Sequence, residues 1–560
     1  MTLVDVVLMR AKYQPDKLVY RFLKDGESHE HTMTFRQLDQ RSKSIASELQ
    51  RRTSPGERVL LLVPAGLDFI SSFFGTLYAG NISIPVPPPH FARIERTLNA
   101  TLRVIKDANP SVVIVDSKLH SIIKHNPEIV RKFEGIHFVI VGDDIDDSSN
   151  LWERPNVSGE DLALLQYTSG STYTPKGVML SHNNLLSNLE AIERSMDLTE
   201  KNESVFWLPP FHDMGLIGGI LQPLYSGFTV TLIPHLLFLQ RPIRWLQAIS
   251  KYKALTTGAP NSAYELCLKK VKPEQRDELD LSSLEIAING AEPINVSTLN
   301  RFKKYFSSAG FRETAFIPCY GLAEATLMVA ADSKLSSSGT ARIGRRGLER
   351  NEVEFSSINE KDLQTLVSCG RCIDKHEIKI VNPESCQNCS ENEIGEIWLK
   401  GPSVAKGYWN NVTESEYAFK GYINGTDEGP FLRTGDLGFK ADGELYVTGR
   451  MKSLIIIDGK NFYPHDIERV VQNSHFAVQP LGCAAFSIED EGREQIIILA
   501  EIRRNSNFNM NDLTTAIRNS ISGEFGLSVA DIRTVPLGFI PRTTSGKIKY
   551  HECKKKYLTN

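Results

Sequence analysis

The stretch Leu162-Ala163-Leu164-Leu165-Gln166-Tyr167-Thr168-Ser169-Gly170-Ser171-Thr172-Tyr173-Thr174-Pro175-Lys176-Gly177-Val178 decides the fold. Its all-apolar start fits a strand buried on both faces, as in a parallel sheet covered by helices. The run that follows is small and hydroxylated. Such residues let backbone N–H groups and hydroxyls approach phosphate oxygens, and Lys176 adds a point charge for the same ligand. The loop is not of the Walker A kind, because Pro175 stands where that motif has the glycine before its lysine. A plain polar surface loop has the same composition, so the rest of the chain must decide.

Working outward, the upstream chain alternates helix and strand patterns. Thr34 with Gln37 reads as a capping box opening a helix through Ala46 and Leu49. Residues 59–63 read as a buried strand. The next helix covers 67–78 and is stopped by Gly80, and a strand follows over 84–86. Pro87, Pro88 and Pro89 then break the pattern. Residues 91–106 read as a helix and 112–115 as another all-apolar strand. Downstream, 230–233 and 284–289 continue the series. After Gly370 the character changes: 377–381 and 394–399 read as antiparallel partners. Asp442-Gly443 is a hairpin turn between 438–439 and 445–447. The last hundred or so residues combine strands at 484–486 and 496–502 with a helix at 511–522. The predicted fold class is α/β, with a large N-terminal domain of layered sheets and helices and a small α+β C-terminal domain.

Composition sets bounds. At 560 residues the chain exceeds one hydrophobic core, which suggests about two to four domains or subdomains. With 41% hydrophobic and 23% charged residues it is an ordinary globular chain. A net charge of −3 argues against nucleic acid as a partner. No apolar run is long enough to span a bilayer, so stable membrane insertion is not expected. Residues 1–13 lack the apolar segment of a signal peptide. Eight cysteines do not make a disulfide framework, and a cytoplasmic location is expected.

Four further motifs follow the loop. They are Tyr320-Gly321-Leu322-Ala323-Glu324, Thr434-Gly435-Asp436, Thr448-Gly449-Arg450-Met451-Lys452 and Pro541-Arg542-Thr543-Thr544-Ser545-Gly546-Lys547. In this order, and over nearly the whole chain, they resemble the adenylate-forming superfamily, which includes acyl-CoA ligases, firefly-type luciferases and peptide-synthetase adenylation domains. The resemblance implies ATP and Mg²⁺ as cofactors. It makes Thr168, Ser169, Gly170, Ser171, Thr172 and Lys176 the phosphate loop, and Glu324 with Thr168 the Mg²⁺ ligands. Tyr320 and Gly321 would lie near adenine, as would the backbone at Gly290, Ala291 and Glu292. Asp436 would hold the ribose hydroxyls, with Arg450 beside the nucleotide, and Lys547 would be the catalytic lysine. By the same resemblance residues 1–449 form the N-terminal adenylation domain, 450–452 a hinge at Lys452, and 453–560 a mobile C-terminal domain. The chemistry agrees. A carboxylate attacking the α-phosphate brings two anions together, so the site must supply positive charge there and at the leaving pyrophosphate. Gly546 is expected to let the loop place Lys547 without a Cβ clash. One departure is Tyr173, where many relatives carry glycine.

Two features resemble one branch, the fatty acyl-AMP ligases, which supply acyl carrier proteins. The first is a set of signatures: Trp207-Leu208-Pro209-Pro210-Phe211-His212-Asp213-Met214-Gly215-Leu216-Ile217-Gly218-Gly219, Arg241-Pro242-Ile243-Arg244-Trp245-Leu246, Gly258-Ala259-Pro260-Asn261, Asn289-Gly290-Ala291-Glu292-Pro293-Ile294 and Ile84-Pro85-Val86-Pro87-Pro88-Pro89. His212 would then close the acyl pocket near the carboxylate as a catalytic-site residue, and Gly218-Gly219 would let backbone approach the ligand. The second is extra length near 348–366, rich in Glu, Asn and Ser. It resembles the insertion that hinders the domain movement needed to build a CoA site. The implied substrate is a medium- or long-chain fatty acid. The implied acceptor is an acyl carrier protein or a polyketide or peptide synthase phosphopantetheine arm. A fatty acyl-CoA ligase and a non-catalytic nucleotide-binding module remain the alternatives. Cys369, Cys372, Cys386 and Cys389 form two CxxC pairs whose spacing is near that of a structural zinc site, which leaves a metal role open.

Overall fold

The computed structural model describes residues 1–89, 94–142, 148–168, 175–332, 339–355, 363–457, 459–490, 493–504, 507–543 and 546–559. Two large sheets carry the N-terminal part. In the six-stranded sheet, Arg58–Leu62 lies between Ile82–Pro85 and Val112–Asp116, all parallel, with His137–Val141 beyond. Leu162–Thr168 joins it in parallel and then turns back through Lys176–Ser181, which is antiparallel. The nine-stranded sheet has a parallel centre of Phe316–Gly321, Ile286–Asn289, Thr256–Ala259, Glu203–Phe206, Thr229–Leu232 and Leu18–Leu23. Its edges, Glu30–Thr34 on one side and Met328–Ala331 with Arg371–Cys372 on the other, are antiparallel. The expected parallel sheets are therefore present, closed at their margins by antiparallel strands whose short pairings apolar periodicity does not encode.

Local sequence accounts for many elements. Thr34 and Gln37 exchange capping hydrogen bonds at the start of Phe35–Gln50. The helix Leu67–Tyr78 presents Phe69, Ile70, Phe73 and Phe74, all fully buried. Complete burial of side chains this size, each worth about 1.5–3 kcal/mol, clamps the helix onto the sheet. The helix expected over 91–106 runs over Ile94–Ala108, and its first predicted turn lies outside the described residues. Glu377–Val381 pairs antiparallel with Gly395–Lys400. The Asp442-Gly443 turn joins Leu432–Ala441 to Glu444–Arg450, with φ of 51° and 80° at its two corners. Those left-handed angles match the twist of a tight hairpin, and Asp-Gly tolerates them.

The C-terminal residues build their own small core. Val478–Asp490, Arg493–Ile502 and Val529–Val535 form a three-stranded sheet. Pro464–Ser474 and Met510–Phe525 pack together over it through Ile467, Val471, Leu513, Ile517 and Ile521. Met451–Ser453, a single 3₁₀ turn carrying Lys452, connects this unit to the preceding sheet.

Candidate active site

One cleft of about 2760 Å³ runs between the two parts. Its walls include Thr168, His212, Ala291, Glu292, Tyr320, Gly321, Glu324, Asp436, Arg450, Lys452 and Lys547. Pro85 to Pro89 form another part of the wall. Of the expected phosphate loop, Ser169, Gly170, Ser171 and Thr172 lie outside the described residues, as does Tyr173. Its two ends are paired in register, Thr168 opposite Lys176.

The residues that the motifs assign to the nucleotide form a tight polar group. Tyr320 is buried and donates from its hydroxyl to Asp436 Oδ2 at 2.8 Å. Arg450 Nε donates to Asp436 Oδ1 at 2.7 Å. Burial pushes the Tyr320 phenol well above its ordinary range, with Asp436 adding to the shift, so it stays a donor. The Asp436 charge in turn raises Arg450. Glu324 accepts from the Tyr408 hydroxyl at 2.9 Å. Lys176 does not line the cleft. It pairs with Glu414 and lies over the Tyr408 ring, 4.8 Å from its centre, and its hydrogen bond, with its charge, lowers the Glu414 carboxyl against burial. Tyr408 and Glu414 are residues that sequence reasoning missed. Tyr408 lies within, and Glu414 just after, a Gly407-Tyr408-Trp409 stretch with no signal of its own, and their partners are 84 and 238 positions away.

The backbone near 290 is shaped by contact. A Cβ on Gly290 would stand 2.5 Å from Cys319 Sγ, so only glycine lets the two neighbouring strands close there. Gly290 itself is not part of the cleft wall. Ala291 follows with φ of 68°, a left-handed angle that is costly outside glycine and that turns the chain toward the cleft. Glu292 accepts from the Ser262 N–H. Its enclosure raises the carboxyl pKa, against the opposing pull of Ser262, Lys547 and Arg542.

His212 Nδ1 lies 2.6 Å from Asp213 Oδ1. Enclosure raises Asp213, but His212, Lys547 and the Met214 N–H outweigh it and bring the carboxyl to about 2. Asp213 therefore holds its charge and fixes the imidazole. It also caps a π-helix, Met214–Leu221, which nothing in the periodicity announces. A Cβ on Gly215 would meet Pro209 O at 2.0 Å, so close approach of the preceding turn requires glycine there. Gly218 and Gly219 have only ordinary neighbours at 3.5 Å, Leu327 and Phe206, so tight packing does not demand them. Gly218 faces the cleft.

Lys547 sits at the mouth, on a loop held by its own backbone. Thr543 N–H donates to Lys547 O at 2.8 Å, and Lys547 N–H donates to Thr543 Oγ1 at 3.0 Å. Gly546 has φ of 93°, yet nothing lies within 4 Å of a Cβ built on it. The glycine serves its backbone angle and avoids no clash, which corrects the steric reason expected from sequence. The ammonium is near enough to lower both Asp213 and Glu292.

The cysteines behave differently from a zinc site. Asn382 and Pro383 do turn the chain back, but Cys386 and Cys389 lie at that turn, beyond the strand Glu377–Val381 from Cys369 and Cys372. Among the described residues no group of three or more His, Cys, Asp or Glu side chains is arranged to hold a metal ion. No helix among them is long and apolar enough to cross a membrane.

Residues 8–409 match the family model described as AMP-binding enzyme, and residues 452–560 match that of the Disco-interacting protein 2-like AMP domain. The medium-chain-fatty-acid–[acyl-carrier-protein] ligase JamA of Moorena producens is 41% identical, over 100% of this chain and 95% of that protein. The medium-chain-fatty-acid–[acyl-carrier-protein] ligase TtuA of Teredinibacter turnerae is 34% identical, over 100% and 94%. The solved fatty acyl-adenylate ligase from L. pneumophila, in complex with acyl adenylate and pyrophosphate, superimposes with a TM-score of 0.77 at 40% identity, over 100% and 96%. With a cleft that gathers an aspartate–tyrosine–arginine group, a carboxylate and a loop lysine, and with relatives similar along their full length, the chain belongs to the AMP-binding, adenylate-forming enzymes, in the group of the fatty acyl-AMP ligases.

Proposed function

We propose that the protein uses ATP to activate a medium- or long-chain fatty acid as acyl-AMP, and passes the acyl group to an acyl carrier protein or a synthase phosphopantetheine arm. The observation that carries this reading is the convergence of Lys547 with the Tyr320–Asp436–Arg450 group and Glu324 on one cleft. That cleft also has an apolar inner branch. In the reaction the fatty carboxylate oxygen attacks the α-phosphorus, the bond to the β-phosphoryl oxygen breaks, and pyrophosphate leaves. Lys547 offsets the charge gathered between carboxylate and α-phosphate. Asp436 accepts from the ribose hydroxyls once the nucleotide displaces part of its bonding to Tyr320 and Arg450. The loop that leaves the cleft wall at Thr168 receives the outer phosphates, with Lys176 set back from the cleft on Glu414. His212, held by Asp213, closes the acyl branch beside the carboxylate.

Mg²⁺ fits the donors present. Glu324 and Thr168 offer hard oxygen atoms on the cleft wall, and Glu324 has no salt-bridge partner among the described residues. Bound there, the ion would neutralise phosphoryl charge. Of the 348–366 stretch, 356–362 lie outside the described residues, and its two described ends fit a brake on movement about Lys452. Lys460 pairs with Glu349 at 3.0 Å, Asn461 Nδ2 donates to Asn351 at 3.1 Å, and Gln364 Nε2 donates to Asp466 at 2.8 Å in a buried setting. Eight cysteines free of disulfides fit a cytoplasmic setting.

A pyrophosphate-release assay with ATP, Mg²⁺ and a series of fatty acids tests the reading. Release that depends on fatty acid supports it. Release only with amino or aromatic acids, or none at all, overturns it.

A further inference from the structure

The inner branch of the cleft is apolar on most sides, as a fatty chain requires. Ile192, Met196, Phe228 and Met328 pack into one cluster along it. Two polar side chains also face it, Gln222 and Thr256, which are 3% and 4% exposed. Gln222 Oε1 and Thr256 Oγ1 have no hydrogen-bond partner among the described residues. In an apolar cavity that is expensive, because a buried polar atom without a partner forfeits its hydration.

The amide orientation is settled by its neighbours. Gln222 Nε2 donates to Leu189 O at 3.2 Å and to Ser226 Oγ at 3.0 Å. A carbonyl oxygen can only accept, so the amide nitrogen must face Leu189 and Oε1 is the atom left over. It is an acceptor in want of a donor. Thr256 is placed by strand alternation. Thr257, its neighbour, points to the opposite face and accepts from Trp245 Nε1 at 2.9 Å. Thr256 thus shares its face with Gly258, where a Cβ would stand 3.0 Å from both Met214 and Phe206. Met214 and Phe206, both on the cleft wall, fill the space beside Gly258, and Thr256 lies two residues along the strand from it, about 7 Å away. The next strand sets Ser204 beside Thr256 in register, and its buried hydroxyl is also without a partner. Ser204 is not itself on the cleft wall, so the inner wall carries one acceptor, Gln222 Oε1, and one hydroxyl, that of Thr256, with no charge between them.

We propose that this end of the acyl branch recognises a hydroxyl at the far terminus of the substrate, so that ω-hydroxy fatty acids are preferred over methyl-ended ones. The proposal rests on the fatty-acid reading above. A terminal hydroxyl donates to Gln222 Oε1 and exchanges a hydrogen bond with Thr256. A methyl group leaves both unsatisfied. A terminal carboxylate meets an acceptor and no cation, and is rejected.

The test compares straight-chain fatty acids with their ω-hydroxy and ω-carboxy counterparts at each chain length, by pyrophosphate release and by calorimetric binding without ATP. At the length that reaches the end, the ω-hydroxy acid should exceed the plain acid in kcat/KM by roughly ten-fold or more, with the ω-carboxy acid below both. Gln222→Leu should reverse the order of the hydroxy and plain acids. Thr256→Val, nearly isosteric, should reduce the ratio and serves if the first variant does not fold. Equal kcat/KM for the two acids at every length, as expected if a trapped water satisfies the wall, overturns the proposal. A binding preference for the hydroxy acid without any pyrophosphate release supports this inference and sinks the adenylation reading. Equal binding sinks this inference whatever the turnover.

Discussion

At the scale of single residues, the site is defined by charges held in fixed company. Asp436 satisfies Tyr320 and Arg450 at once, and Asp213 stays ionised against its enclosure because His212 and Lys547 face it. Lys547 stands apart, exposed at the mouth and anchored through its backbone. Removing its ammonium should therefore spare the fold and strike the chemistry. Lys547→Ala is expected to lower the rate of acyl-AMP formation by about 100- to 1000-fold with an unchanged melting temperature. Loss of folding, or an unaltered rate, contradicts the role. Glu468 lies deeper in the C-terminal unit, accepting from Ala485 N–H at 3.0 Å and from Tyr550. Burial raises its carboxyl to about 8, above the unfolded value, despite Tyr550 and Arg542. The folded state thus holds a proton that the unfolded chain gives up in the ordinary carboxyl range. Its contribution to stability is full below that range and is lost as pH rises toward about 8. Glu468→Gln mimics the protonated form, so it should flatten the fall in melting temperature across that window. An unchanged slope would show that Glu468 does not carry it.

At the scale of elements, legibility followed the range of the interaction. The capping box at Thr34, the helix Leu67–Tyr78 and the hairpin at Asp442 rest on neighbours a few residues apart, and each was readable from sequence. The π-helix Met214–Leu221 was not, because its geometry depends on Gly215 closing against Pro209 O. Nor were the pairs Tyr408–Glu324 and Lys176–Glu414, in which either partner alone reads as a surface residue. The motif around Tyr320 carried no signal of the bond to Asp436, 116 positions away. The 348–366 segment yields a prediction at this scale. Exposed ion pairs such as Lys460–Glu349 contribute little. The buried bond from Gln364 to Asp466 involves a charged group and is worth about 1.5–3 kcal/mol. Gln364→Ala with Glu349→Ala should free the C-terminal unit and raise acyl-CoA formation by about ten-fold or more when CoA is supplied. Undetectable acyl-CoA from the double variant would show that these contacts are not the brake.

At the scale of the whole molecule, two parallel-centred sheets supply one wall of the cleft, and a separately cored C-terminal unit brings Lys547 to it. On the proposed reading the activity needs both parts, and the acceptor is decided by how far one moves against the other. The most direct measurement is mass-spectrometric product analysis of a reaction holding ATP, Mg²⁺, a fatty acid and free CoA, with and without a phosphopantetheine-bearing carrier protein. The expected result is acyl-AMP with CoA alone and acylated carrier when the carrier is added. Acyl-CoA as the main product, or no adenylate under either condition, would contradict the account.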